Sequence, residues 1–134
     1  MRRLGLALAA TLLATAAGCS GDQGPVAGEL SVRLATPRSS DRAILFTVLG
    51  RASEVTAAAG RGYAVFTATS AGGDSTSVVV AAPAGGGLAA GELARVAVPD
   101  VRKVAAYAVR LLDVAAGTYA DGDTAGVSLS IVRP

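Results

Sequence analysis

Histidine does not occur in this chain of 134 residues, and its absence decides most of what the chain can do chemically. A Ser-His-Asp or Cys-His arrangement needs an imidazole to carry the proton between nucleophile and leaving group. Neither can be assembled. The G-x-S-x-G elbow is missing too: the nearest stretch, Ala68–Gly72 (ATSAG), carries alanine at its first position. Lys103 is the only lysine, and Asp100 stands where a Ser-x-x-Lys pair would need its serine. The glycine-rich Gly85–Gly91 (GGGLAAG) has neither the lysine of a phosphate-binding loop nor the spacing of a dinucleotide loop. It reads as a flexible hairpin loop.

Metal and sugar chemistry leave a narrower set. Zinc and copper sites need clusters of His or Cys, and Cys19 is the one cysteine. Calcium needs only oxygens, and Asp121-Gly122-Asp123, joined by Asp74 or Asp113, is where they would gather. EF-hand spacing is absent there, and Asp-Gly is ordinary turn chemistry. An Asp/Glu-based hydrolase of glycosides would need a cleft and aromatic subsites. A chain with three Tyr, two Phe and no Trp offers little of either. Tyr63 and Tyr107 fall in strand patterns and are expected to pack. Tyr119 falls in a loop beside Asp121 and Asp123, so these three are the candidate binding residues. No catalytic residue, metal site or cofactor is expected.

Cys19 has a chemistry of its own. Met1-Arg2-Arg3 is a positive start, and Leu4–Ala17 is apolar but for two threonines. Ala16, Ala17 and Gly18 are a small-residue exit. This is the build of a secretory signal peptide. The apolar run falls short of the roughly 20 residues a membrane-spanning helix needs. Ala16-Ala17-Gly18-Cys19 resembles the lipobox of bacterial lipoproteins, with Ala16 where that family usually carries leucine. The resemblance implies that the Cys19 thiol is acylated and that a peptidase cuts between Gly18 and Cys19. Membrane lipid is then the first partner, and the location is the cell envelope, facing the periplasm or the exterior. An odd cysteine in an oxidising compartment asks for an explanation, and lipidation is one. Each buried methylene contributes about 0.8 kcal/mol, so several acyl chains anchor stably.

The expected organisation is a signal peptide over 1–18, a flexible tether over 19–28 (CSGDQGPVAG) and one domain over 29–134. Twelve Lys and Arg less Arg2 and Arg3 leave ten, against ten Asp and Glu that all follow Cys19. The part beyond the signal is therefore formally neutral. Its longest basic run is Arg102-Lys103, so the electrostatic footprint of a nucleic-acid binder is missing.

The elements that must position the candidate residues read as short strands. Leu30, Val32 and Leu34 alternate with Ser31, Arg33 and Ala35, a period-two pattern over 29–36. Residues 43–49 (AILFTVL) are apolar on both faces and fit a central strand. Further strands are expected over 52–58, 63–70, 75–82, 92–98 and 127–132, the last with Val127, Leu129 and Ile131 inward. Residues 99–116 have two readings. Val104, Tyr107, Ala108, Leu111 and Leu112 have helical spacing. Tyr107, Val109 and Leu111 also share a strand face. A turn at 99–104 and a strand at 106–115 is preferred, because strands lie on both sides.

About seven to eight strands with turn signals every 8–12 residues make an all-β, single antiparallel β-sandwich. The order of elements is similar to the immunoglobulin-like and cohesin-like sandwiches of bacterial surface proteins, with no diagnostic motif. The function expected is a non-catalytic binding, structural or adhesion module that meets a protein or glycan. The alternative is a calcium-stabilised or carbohydrate-binding surface domain.

Overall fold

The computed structural model describes residues 24–134. The expected signal peptide, the expected cleavage between Gly18 and Cys19 and the expected lipidation of Cys19 lie outside the described residues. The chain is an all-β sandwich of two antiparallel four-stranded sheets. The strands are β1 (Gly28–Ala35), β2 (Ala43–Leu49), β3 (Glu54–Ala57), β4 (Ala64–Thr69), β5 (Ser75–Ala81), β6 (Gly91–Val98), β7 (Ala108–Ala115) and β8 (Ser128–Val132). One sheet has the order β3-β6-β1-β8 and the other β4-β5-β2-β7. Only β4–β5 is a hairpin within one sheet; every other connection crosses to the opposite sheet.

Side-chain alternation builds the core. Leu30, Val32 and Leu34 of β1 face Ile44, Phe46 and Val48 of β2 across the sandwich interior, and all six are buried. Val78 and Val80 of β5, Val96 and Val98 of β6 and Val114 of β7 complete the layer. β2 does sit centrally, between β5 and β7. Its second apolar face has no layer over it: Leu45 is half-buried and Leu49 exposed.

Two bulges reset the alternation. In β6 Leu93 has no opposite number on β1, so Leu93 and Ala94 are both buried. In β7 Leu112 is skipped in the pairing with β2. Val109 and Leu111 point inward before it, and Val114 points inward after it. An unbulged strand would have turned Val114 to solvent.

The segment with two readings divides between a 3-10 stretch, Val101–Ala106, and β7. Asp100 starts the 3-10 stretch: its Oδ1 accepts from Arg102 N–H at 3.1 Å. Tyr107 ends it, and its ring lies over Gly50, where a Cβ would come within 2.6 Å of the ring. Gly50 also has φ +112°, so two separate constraints select glycine.

The outer faces of the sheets differ. On the β3-β6-β1-β8 sheet the outward residues include Glu29, Arg33, Glu92, Arg95, Ser128 and Ser130. There the Ser31 hydroxyl donates to Glu92 Oε2 at 2.6 Å, and Arg95 Nε donates to Glu92 Oε1 at 3.0 Å. On the other sheet Ala64, Ala81, Ala43 and Ala115 form one cross-strand row, and Phe66, Val79 and Leu45 form the next.

Candidate functional site

The strands run between two ends of unlike build. The chain enters at the end that holds Gly28, Gly50, the Ser70–Ser75 turn and the 3-10 stretch. Here residues 24–28, read from sequence as part of a tether, lie against the fold. Val101 N–H donates to Val26 O at 2.9 Å and Arg102 Nη2 to Gly24 O at 2.8 Å. Arg102 Nε donates to Asp100 Oδ1 at 3.1 Å. The Arg102 hydrogen bond is the largest cause that holds the Asp100 carboxyl down at about 2, against the raising effect of burial.

The opposite end gathers four connections: residues 36–42, 58–63, 82–90 and 116–127. Arginines knit them together. Arg38 forks onto Asp41, with Nη2–Oδ2 at 3.1 Å, and also donates to the Asp123 carbonyl. Arg42 Nη1 donates to the Gly86 carbonyl. Arg42 Nη2 donates to Tyr119 Oη at 3.3 Å, across 77 residues of sequence, with its guanidinium carbon 5.3 Å from the ring centroid. Arg61 repeats the arrangement over Tyr63 at 5.8 Å and donates to the carbonyls of Ala89 and Ala90. Gly87 closes the packing: a Cβ there would fall 1.9 Å from the Ser39 carbonyl oxygen.

Tyr119 stands out at this end. It has φ +61°, the one positive φ at a non-glycine position among the described residues. It is 63% exposed. A bulky residue held in the left-handed region marks a locally over-determined loop. The holding contacts are visible. Tyr119 N–H donates to Ala116 O at 2.8 Å, Ala116 N–H to Ala120 O at 2.8 Å, and Gly122 N–H to Val114 O at 2.7 Å. The phenol edge therefore projects from a loop fastened onto the top of β7.

The other expected residues divide. Asp121 shares the Tyr119 loop, is exposed, and makes no side-chain hydrogen bond or ion pair among the described residues. Asp123 is engaged locally: its Oδ1 accepts from Ala125 N–H at 2.8 Å, a turn closure. Asp74 is not brought to them. It lies beside Gly50 at the other end, 4.0 Å from Arg51. Asp113 sits on β7 and accepts from the adjoining Val114 N–H at 2.8 Å. No group of three metal-ligating side chains occurs among the described residues. Tyr63 and Tyr107 pack against the core. Tyr107 also donates to Arg51 O at 2.7 Å, and desolvation raises its phenol pKa, with Asp100 adding to the rise.

Sequence reasoning singled out Tyr119 but missed Arg42 and Arg61. Their partners are distant in sequence, and no local pattern announces a guanidinium over a ring. The arrangement offers an aromatic edge, a guanidinium and a free carboxylate at one exposed end. Compared with family models, curated proteins and solved structures, the chain matches none.

Proposed function

We propose that the chain is a lipid-anchored, non-catalytic binding module of a bacterial cell envelope, displayed by acylated Cys19. The observation that carries this reading is polarity. The chain enters the sandwich at one end, and Tyr119, Asp121, Arg42 and the knitted loops stand at the other. An eight-residue strand such as β1 spans about 26 Å. The segment between Cys19 and Gly24, where the chain docks, reaches about 17 Å when extended. An anchor at residue 19 therefore leaves the loop end farthest from the bilayer. The rigid, exposed Tyr119 supplies apolar contact area at low entropic cost, and its neighbours supply charge of both signs. A glycan or a protein of the envelope fits that chemistry.

Two measurements test the reading. Metabolic fatty-acid labelling and fractionation compare wild type with Cys19→Ser. Loss of label and release from the membrane are expected, and equal labelling rejects the anchor. Retention of the purified chain on isolated envelope fractions compares wild type with Tyr119→Ala. A drop of about tenfold or more, equivalent to about 1.4 kcal/mol, is expected. Unchanged retention removes Tyr119 from the binding surface.

A further inference from the structure

Each sheet ends in two edge strands, and an edge offers unpaired backbone groups to any passing strand. Three of the four edges are protected. β3 is four residues long and begins with Glu54. β7 carries Arg110 and Asp113, is bulged at Leu112, and is closed at its far end by the Ala115–Asp121 bridge. β8 is five residues long and has Leu129 and Ile131 packed on the core. β4, at six residues, is longer than β3 and β8 and, though it too packs a side chain (Val65) on the core, it lacks the charges and the bulge of β7. Its sequence, AVFTAT, holds no charge, no proline and no bulge, and it outreaches the shorter β3 beside it.

The free groups of β4 can be assigned. Ser70 N–H donates to Ser75 O at 2.9 Å, which sets the phase of the β4–β5 ladder. Ala64, Phe66 and Ala68 thus turn their backbone groups toward β5, and Val65, Thr67 and Thr69 turn theirs outward. Among the described residues no backbone partner meets those outward groups. Phe66, on the outer face of the same strand, is 63% exposed.

We propose that β4 is a homodimerisation edge, at which a second copy of this chain pairs antiparallel, β4 on β4, about a two-fold axis centred on Thr67. In that register Val65 meets Thr69 of the second copy, and Thr67 meets its own counterpart. Each outward pair exchanges two hydrogen bonds, about six in all. Phe66 then lies opposite Ala68 of the second copy, and the reverse holds by symmetry. A large ring covers a small side chain twice, so the strand is complementary to itself. Its neutrality is also needed, because a charged residue near the axis would face its own like charge. The pairing joins two four-stranded sheets into one continuous sheet and covers the two exposed rings. It depends on neither the anchor nor Tyr119.

The test uses the full chain in mild detergent, in a Cys19→Ser background, so that an introduced cysteine carries the only thiol. Paired residues at the axis stand about 5.5 Å apart at Cα, within disulfide range. Thr67→Cys is expected to form a covalent dimer under mild oxidation at least about tenfold faster than Ser130→Cys on the β8 edge, and sedimentation of the parent chain is expected to show a dimer. Thr67→Lys is expected to sediment as a monomer with an unchanged circular-dichroism spectrum and a melting temperature that, unlike the parent's, does not depend on protein concentration. A parent chain monomeric at every concentration overturns the proposal. So do equal cross-linking rates at residues 67 and 130, or cross-links in cells only to a polypeptide of different mass.

Discussion

The two outer faces of this sandwich solve the same problem differently. The β3-β6-β1-β8 sheet meets water with Glu29, Arg33, Glu92 and Arg95, and it buries Ser31 beneath a hydrogen-bonded Glu92–Arg95 pair. The β4-β5-β2-β7 sheet meets water over much of its area with alanines, Leu45, Val79 and an open Phe66, and its charges, Arg110 and Asp113, are confined to the β7 edge. Both faces flank one core, so core formation does not require the difference. A face of small and apolar groups is tolerated in water when it stays flat and modest in area. The contrast therefore separates residues that hold the fold from residues that are exposed for other reasons.

Two phenylalanines give the largest test of that separation. Phe46 is fully buried and Phe66 is open, though they lie one strand apart in the same sheet. Phe46→Ala should cost about 3–5 kcal/mol in chemical denaturation. In the monomeric Thr67→Lys background, Phe66→Ala should stay within about 0.5 kcal/mol, as exposed substitutions do. A large loss at Phe66 would mean that its ring supports the monomer.

The next effect is on the polar face. Ser31→Ala removes the donor that contributes most to lowering the Glu92 pKa below its ordinary 4.5. A loss of about 1 kcal/mol at neutral pH is expected, and it should shrink as Glu92 is protonated. The equivalent change on the other sheet, Ser77→Ala, has no comparable hydrogen bond to remove and should be near neutral. Equal losses at the two serines would erase the contrast between the faces.

The smallest effect lies at the entry end and is read against pH. Asp100 falls from an ordinary 3.8 to about 2 in the fold. A depressed carboxyl contributes stability that is present above its unfolded pKa and is lost as pH falls through its folded one. Melting temperature should drop between about pH 4 and pH 2, and Asp100→Asn should flatten that drop while lowering stability at neutral pH. An identical acid limb in the variant would show that the Arg102 contact does not govern it.

Much of the fold is legible in the sequence, because inward and outward positions alternate without interruption wherever a strand is regular. β2 appears with the bounds expected, residues 43–49, and Val127, Leu129 and Ile131 share the inward face. The legibility stops at the bulges. Leu111-Leu112-Asp113-Val114 carries no local mark that Leu112 leaves the ladder, because the skip is imposed by β2 pairing on one side of it. The site is less legible than the fold. Tyr119 could be picked out as an aromatic residue in a turn-rich loop. The guanidinium of Arg42 over it is a tertiary contact, and the positive φ follows from hydrogen bonds to Ala116 and around Gly122. Neither has a period or a spacing to read.

The crossing connections have a kinetic consequence. β1 is flanked only by β6 and β8, so the earliest strand has no sheet neighbour until much of the remaining chain has arrived. By residue 81 only β4, β5 and β2 can pair, and the sheet that must cover them waits for β6 and β8, so loop-closure entropy must be met before the core between the sheets returns its free energy. The sandwich therefore condenses late. That order of events would suit the export proposed above, in which the chain crosses a membrane before it takes shape.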